Sequence, residues 1–349
     1  MPASGREATS PINRTLRGAA AAGIVLAAAL LAGCSKSPPA AAAGPALTPV
    51  VLQGNWYAET EYGGYYEALA KGYYKDEGLD LTIVQGGPGA YPVQRVAAGA
   101  AQFAMARSDD LMMAAQQGIP VLIVAAQLEH DPQVIIVHAE SAVHGFADLG
   151  GKSIMVEPGS AWITYLEQKY AIHIHTIPEN YGIAQFLADK AFIQQGFLTA
   201  EPFQFEQLKV PCRVMLIADS GYDPYRALFC SRPYAEAHPE VVKAFIRASI
   251  RGWQDYLRGD PAVADALITQ AHADSTAELL AYGRAHLLAS HIVDGRAEAG
   301  EAVGLVTRHR LEAQVAILRR LGMLTRDLDV DQVASFDYLP ADLQDRARK

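Results

Sequence analysis

The residues best equipped for chemistry in this sequence are aromatic and acidic, and they gather in the same short stretches. Asn55-Trp56-Tyr57 is followed at once by Glu59, Glu61, Tyr62 and Tyr65. Farther along stand Tyr91, Trp162, Tyr181 and Tyr222, with the acids Asp109, Glu157 and Glu201. Rings of this kind can sandwich a flat ligand, each favourable ring pair adding about 0.5–1.5 kcal/mol beyond the area it buries. Carboxylates accept hydrogen bonds from ring or amino N–H groups. In this reading Trp56 and Tyr91 stack, Asp109 and Glu201 accept, and Asn55 and Ser160 orient a neutral or weakly cationic N-heterocycle. A small anion is the competing ligand. Helix starts expected at Gly64-Tyr65, Gly89-Ala90, Ser108-Asp109 and Ser160-Ala161 would offer it unpaired N–H groups. The cleft acids would repel an anion, which favours the heterocycle.

Plainer roles compete for many of these positions. Tyr66, Tyr73, Tyr74 and Trp253 read as core or surface aromatics. Glu59 and Glu61 read equally well as solvated loop acids, and Asp109 as a helix cap. A metal centre is not expected: His173 and His175 share a strand face with no further ligand nearby, and His286 and His291 are five apart, off the helical repeat. No phosphate-binding loop, nucleophile elbow or paired-cysteine motif is present, so neither catalytic residues nor a cofactor are expected.

These residues need a frame, and the chain after residue 50 alternates strand and helix signals. An apolar strand over 47–52 leads into Asn55. A helix follows Gly63-Gly64, whose freedom of backbone angle suits the approach to it. Gly78 ends that segment, and 79–84 is the next strand. Further strands are expected over 101–106, 121–126, 133–138, 152–156, 172–177, 196–199 and 214–218. Helices are expected over 111–117, 161–170 and 183–189, and nearly everything beyond His238 is helical. Such alternation implies an α/β fold with mostly parallel sheets flanked by helices. In sheets of that kind ligands bind beyond the carboxyl ends of the strands. That rule selects the loops carrying Asn55, Trp56 and Tyr57, residues 86–91, Ser108 and Asp109, Gln127, residues 157–162 and Glu201.

The run Asn55-Trp56, Gly64-Tyr65-Tyr66 and GYYKDEGLD at 72–80 resembles the periplasmic solute-binding proteins of ABC importers for thiamine-type pyrimidines, aliphatic sulfonates and nitrate. The likeness extends over about 50–260. It implies a two-lobe type II binding-protein fold, with lobe 1 at 50–139 and 223–349, lobe 2 at 140–222, and the ligand in the cleft between them. Thr199-Ala200-Glu201-Pro202 resembles that family's second-lobe Ser/Thr-x-Glu-Pro loop, and residues 219–225 resemble its hinge return, where Tyr222 would line the cleft. The resemblance further implies a functional monomer docking on an inner-membrane permease, with a thiamine-pyrimidine precursor as favoured ligand and sulfonate, taurine or nitrate as runner-up. Fungal thiamine-pyrimidine synthases share the fold and resemble residues 100–118. Their essential Lys and His fall on Ala106 and Asp110, however, and their cysteine-rich run falls on 220–224, which has no cysteine. A binding protein is therefore expected rather than an enzyme, with a periplasmic sensor as a third reading.

At 349 residues the chain has room for two domains, and its net charge of -9 argues against nucleic-acid binding. Arg14 and Arg17 precede an apolar run over 18–31 of signal-peptide length. The run ends in Leu31-Ala32-Gly33-Cys34, which looks like a bacterial lipobox. In that reading residues 1–33 are a signal peptide, Cys34 carries a lipid anchor in the inner or outer membrane, and 34–49 is a flexible tether. Cys212 and Cys230 lie beside strands and read either as a disulfide or as two separate buried thiols.

Overall fold

The computed structural model describes residues 46–349. The expected signal peptide, Cys34 and most of the tether lie outside the described residues. Ten strands form two five-stranded sheets. The first contains β1 (Thr48–Gln53), β2 (Leu79–Val84), β3 (Phe103–Arg107), β4 (Val121–Leu128) and a late strand, Arg226–Ser231. The second contains β5 (Gln133–His138), β6 (Ser153–Val156), β7 (His175–Pro178), β8 (Ile193–Phe197) and β9 (Cys212–Leu216), which makes the late strand β10. The orders are β2-β1-β3-β10-β4 and β7-β6-β8-β5-β9.

The two sheets follow one plan. β1 pairs in parallel with β2 and β3, as β6 does with β7 and β8. In each sheet the next strand is antiparallel to both neighbours: β10 lies between β3 and β4, and β5 between β8 and β9. The α/β class and two-lobe architecture stand, but each sheet is mixed rather than mostly parallel. β5, which the sequence places before a restart at 140, hydrogen-bonds in the second sheet. The chain therefore passes between sheets over 129–132 and returns over 217–225. The apolar run of β5 is buried at every position, as a strand covered on both faces should be, and so reads alike in either sheet.

Asp223 ties the two crossings together. It accepts from the Asp131 N–H at 2.9 Å, meets His130 Nδ1 at 2.6 Å and pairs with Arg310 Nη2 at 2.9 Å.

Behind the first sheet lies a 20-residue helix, Pro239–Arg258. Val242, Phe245, Ser249, Trp253 and Tyr256 recur at helical spacing along its buried stripe. It crosses the helix Gly63–Ala70 at very short range. A Cβ on Gly252 would stand 2.1 Å from the Gly64 carbonyl oxygen, and one on Gly64 would stand 2.2 Å from the Trp253 ring. Gly63 has ordinary helical angles, φ -50° and ψ -45°. The glycine pair is thus required by packing, not by unusual backbone conformation. Tyr65 points into this contact, edge-on to Trp253 at 6.0 Å. At the far edge of the first sheet, Ile123 exchanges backbone hydrogen bonds with Val333 and Ser335, so the C-terminal segment covers β4.

Cys212 and Cys230 are free thiols on strands of different sheets, so the disulfide alternative is excluded. No helix among the described residues is long and apolar enough to cross a membrane.

Candidate functional site

The loop after β1 is built before anything can bind to it. The Tyr62 hydroxyl donates to Asn55 Oδ1 at 2.7 Å and accepts the Trp56 N–H at 2.8 Å. Gly86 closes the other side: its N–H reaches the Trp56 carbonyl at 2.7 Å, and a Cβ there would come within 2.5 Å of Asn55 and Gly54 backbone atoms. Fixed in this way, the loop presents two rings. Tyr57 stacks on His272 with centroids 4.7 Å apart and planes 11° from parallel. Trp56 stands edge-on to Tyr57 at 5.2 Å and meets Tyr181 at 5.0 Å.

Tyr181 follows β7, so the Trp56–Tyr181 pair spans the two lobes. Two polar contacts span them as well. Thr199, in the loop after β8, donates its hydroxyl to Glu61. Arg107, at the end of β3, reaches Glu157 after β6 at 3.5 Å. The rims therefore touch, and the cleft is closed.

Behind the rings lies a group of carboxylates. Burial raises the Glu59 pKa well above its ordinary value, and the neighbouring Glu61 and Glu201 raise it further. Burial also raises that of Glu61, partly offset by the Thr199 hydroxyl. Glu201, whose Oε2 accepts the Phe197 N–H at 2.7 Å, is pushed up to about 7, chiefly by burial. At neutral pH Glu201 is poised between accepting hydrogen bonds as a carboxylate and donating them as an acid.

Arg107 is 5% exposed and occupied by anions already present in the protein. It forks onto Asp110 with two hydrogen bonds of 3.1 Å and lies 3.4 Å from Asp109 Oδ1. Burial works against its charge, but Asp110, Asp109 and Glu157 more than compensate. A small anion entering here would face a guanidinium surrounded by carboxylates.

The sequence-selected residues divide accordingly. Asn55, Trp56, Tyr57 and Tyr181 come together, with Glu201 close enough to Glu59 for their charges to interact. Asp109 and Tyr222 meet in a buried hydrogen bond, and burial lifts Asp109 to about 6. Tyr65 belongs to the core behind the first sheet. Ser108 is fully buried, donating to Gln314 Oε1 at 3.0 Å and accepting the Tyr225 N–H at 3.1 Å, so neither it nor Tyr65 faces the cleft. Ser160 turns its hydroxyl to the Glu157 carbonyl at 2.8 Å. Trp162 is buried with its indole N–H unpartnered. Tyr91 is 66% exposed, in left-handed conformation at φ 47° ahead of the helix Pro92–Ala97.

Four contributors carry no local signal of these roles: Tyr62 as the loop's lock, Arg107 and Thr199 as cross-cleft contacts, and His272 behind Tyr57. The Asn-Trp-Tyr run marks the loop they serve, but each partner is distant in sequence.

Comparison with known proteins converges on one group. The family model described as "NMT1/THI5 like" matches residues 59–264. The riboflavin-binding protein RibY of Chloroflexus aurantiacus is 26% identical over 86% of this chain and 89% of its own. The formylaminopyrimidine-binding protein of Halalkalibacterium halodurans is 24% identical over 70% and 77%, respectively. The 4-amino-5-hydroxymethyl-2-methylpyrimidine phosphate synthase of Legionella pneumophila is 25% identical over 64% and 73%. Among solved structures, the periplasmic aliphatic sulphonate binding protein SsuA of Escherichia coli superposes with a TM-score of 0.61 at 14% identity, covering 82% of this chain and 96% of that one. At that identity the likeness establishes the fold.

Proposed function

We propose that this chain, which belongs to the NMT1/THI5-like family, is the solute-binding component of an ABC importer. It captures a flat N-heterocycle between its lobes and delivers it to a membrane permease on the periplasmic side. The observation that carries this reading is the Trp56–Tyr181 ring pair, one ring from each lobe, with Glu59, Glu61 and Glu201 behind it. An aromatic ligand inserting there would gain stacking from both lobes, and carboxyl groups lie within reach of its polar edge. The relatives that bind riboflavin and formylaminopyrimidine support this class of ligand. Sulfonate and nitrate are disfavoured by the occupied Arg107.

A binding role also fits better than the synthase activity named for the Legionella relative. Asp110 is taken up by Arg107, and residues 220–224 hold no thiol. Lobe boundaries are proposed at the two crossings, 129–132 and 217–225. Attachment through a lipid on Cys34 remains part of the proposal, as does a monomeric state.

The test is titration of the chain from residue 46 with hydroxymethyl- and formylaminopyrimidines, riboflavin, taurine and nitrate. Two of the three tryptophans, Trp162 and Trp253, are buried in the core, so a fluorescence change on binding reports chiefly on half-buried Trp56. Trp56→Ala is expected to weaken binding by about 1–2 kcal/mol, as loss of an aromatic anchor does. Tight binding of taurine or nitrate, with no heterocycle bound, would overturn the reading.

A further inference from the structure

A second compartment opens at the rim of the second lobe. It is a cavity of about 280 Å³ above the carboxyl ends of β6 and β7, against the first turn of the helix Ala161–Tyr170. Its polar lining comprises Glu157, Ser160, Thr164 and Thr176, and its apolar lining includes Ile163 and Met323. Met323 belongs to the other lobe, where Gln116 holds its carbonyl at 2.8 Å, so the cavity has walls from both lobes. Glu157 links it to the first lobe across the cleft: one carboxylate oxygen lies 3.5 Å from Arg107. Tyr181, where burial first and then the Glu157 charge raise the phenol pKa, stands three residues beyond Pro178 of the cavity wall.

The size is informative. Ligand pockets commonly measure about 300–1,000 Å³, so this compartment sits at the small end and suits a single ring or a short chain rather than a large fused-ring ligand with its chain. So is the chemistry. Among the described residues, its lining has hydroxyls, a carboxylate and apolar side chains but no lysine or arginine. Hydroxyl groups find donors and acceptors there, whereas a phosphate or sulfonate would face Glu157, whose neighbour Arg107 is already engaged by Asp109 and Asp110.

Resting on the heterocycle reading above, we infer that this cavity is a side-chain subsite: the ligand is a flat ring bearing an uncharged, hydroxylated chain, the ring lodged at Trp56–Tyr181 and the chain beside Thr164 and Thr176. Riboflavin and lumiflavin make a matched pair of probes, with the same tricyclic ring carrying a ribityl chain or a methyl group. Riboflavin is expected to bind about tenfold more tightly than lumiflavin, and riboflavin phosphate more weakly than riboflavin, because its added charge meets Glu157. Thr176→Phe, which fills the cavity from an exposed strand position, should cost riboflavin about tenfold while leaving lumiflavin within about twofold. The double variant Thr164→Val, Thr176→Val removes the hydroxyls with little change of volume and should shift the same ratio in the same direction. Equal affinity for the two flavins, or equal losses in the variants, would overturn the subsite alone. So would binding of pyrimidines with neither flavin. Failure of every heterocycle to bind would overturn the ring site and the subsite together.

Discussion

At the scale of single residues, the site depends on side chains that never touch the ligand. Tyr62 is 3% exposed, and its hydroxyl serves both Asn55 and Trp56. Tyr62→Phe leaves an amide oxygen and a backbone N–H without their partner, which costs about 1–3 kcal/mol when such groups are buried. Urea denaturation should show that loss, and titration of the still-folded variant should show weaker binding because the Trp56 ring is no longer fixed. Tyr57 is supported from a different part of the chain, the stacked His272 beyond the family-matched span. The Asn-Trp-Tyr run made this loop recognisable from sequence. The identity of its supports did not follow, because nothing local to Tyr62 or His272 distinguishes a lock from an ordinary loop residue.

At the scale of elements, local punctuation was readable and long-range demand was not. The strand Leu79–Val84 and the helix Ala161–Tyr170 have the bounds expected of them, since Gly78 and Ser160 mark their starts. Gly63-Gly64 suggests backbone freedom from sequence because the true reason, Gly252 and Trp253 pressing on the same spot, lies far along the chain. For the same reason Tyr65 looked like a cleft ring and is a core one. Gly252→Val should therefore force the two helices apart and destabilise the protein by about 1–3 kcal/mol, although valine's better helix propensity alone predicts a slight gain. Thermal denaturation would show it; a variant as stable as the parent would mean the helices separate freely. The placement of β5 was equally hidden, for an apolar strand buried on both faces looks the same in whichever sheet it joins.

At the scale of the whole molecule, buried acids make stability depend on pH. Glu201 has a folded-state pKa of about 7 against an ordinary 4.5, Asp109 about 6 against 3.8, and Glu129, buried beside the crossings, about 8 against 4.5. Between those limits the folded chain holds protons that the unfolded chain releases. Stability must therefore fall as pH rises through the window. Denaturation at pH 5 and pH 8 is expected to show a less stable protein at pH 8, and Glu201→Gln should remove roughly 3 kcal/mol or less of that difference. The interleaving of the strands has a consequence for how the molecule comes into being. β10 sits between β3 and β4, so the first sheet is incomplete until Arg226–Ser231 has been made, about a hundred residues after β4. At ordinary synthesis rates that is a delay of ~5–20 s. During it the opening third of the chain has no finished sheet to join, and the non-local pairing then required is slow in itself. A nascent chain detained in this way keeps β3 and β4 without their shared partner until the late strand arrives.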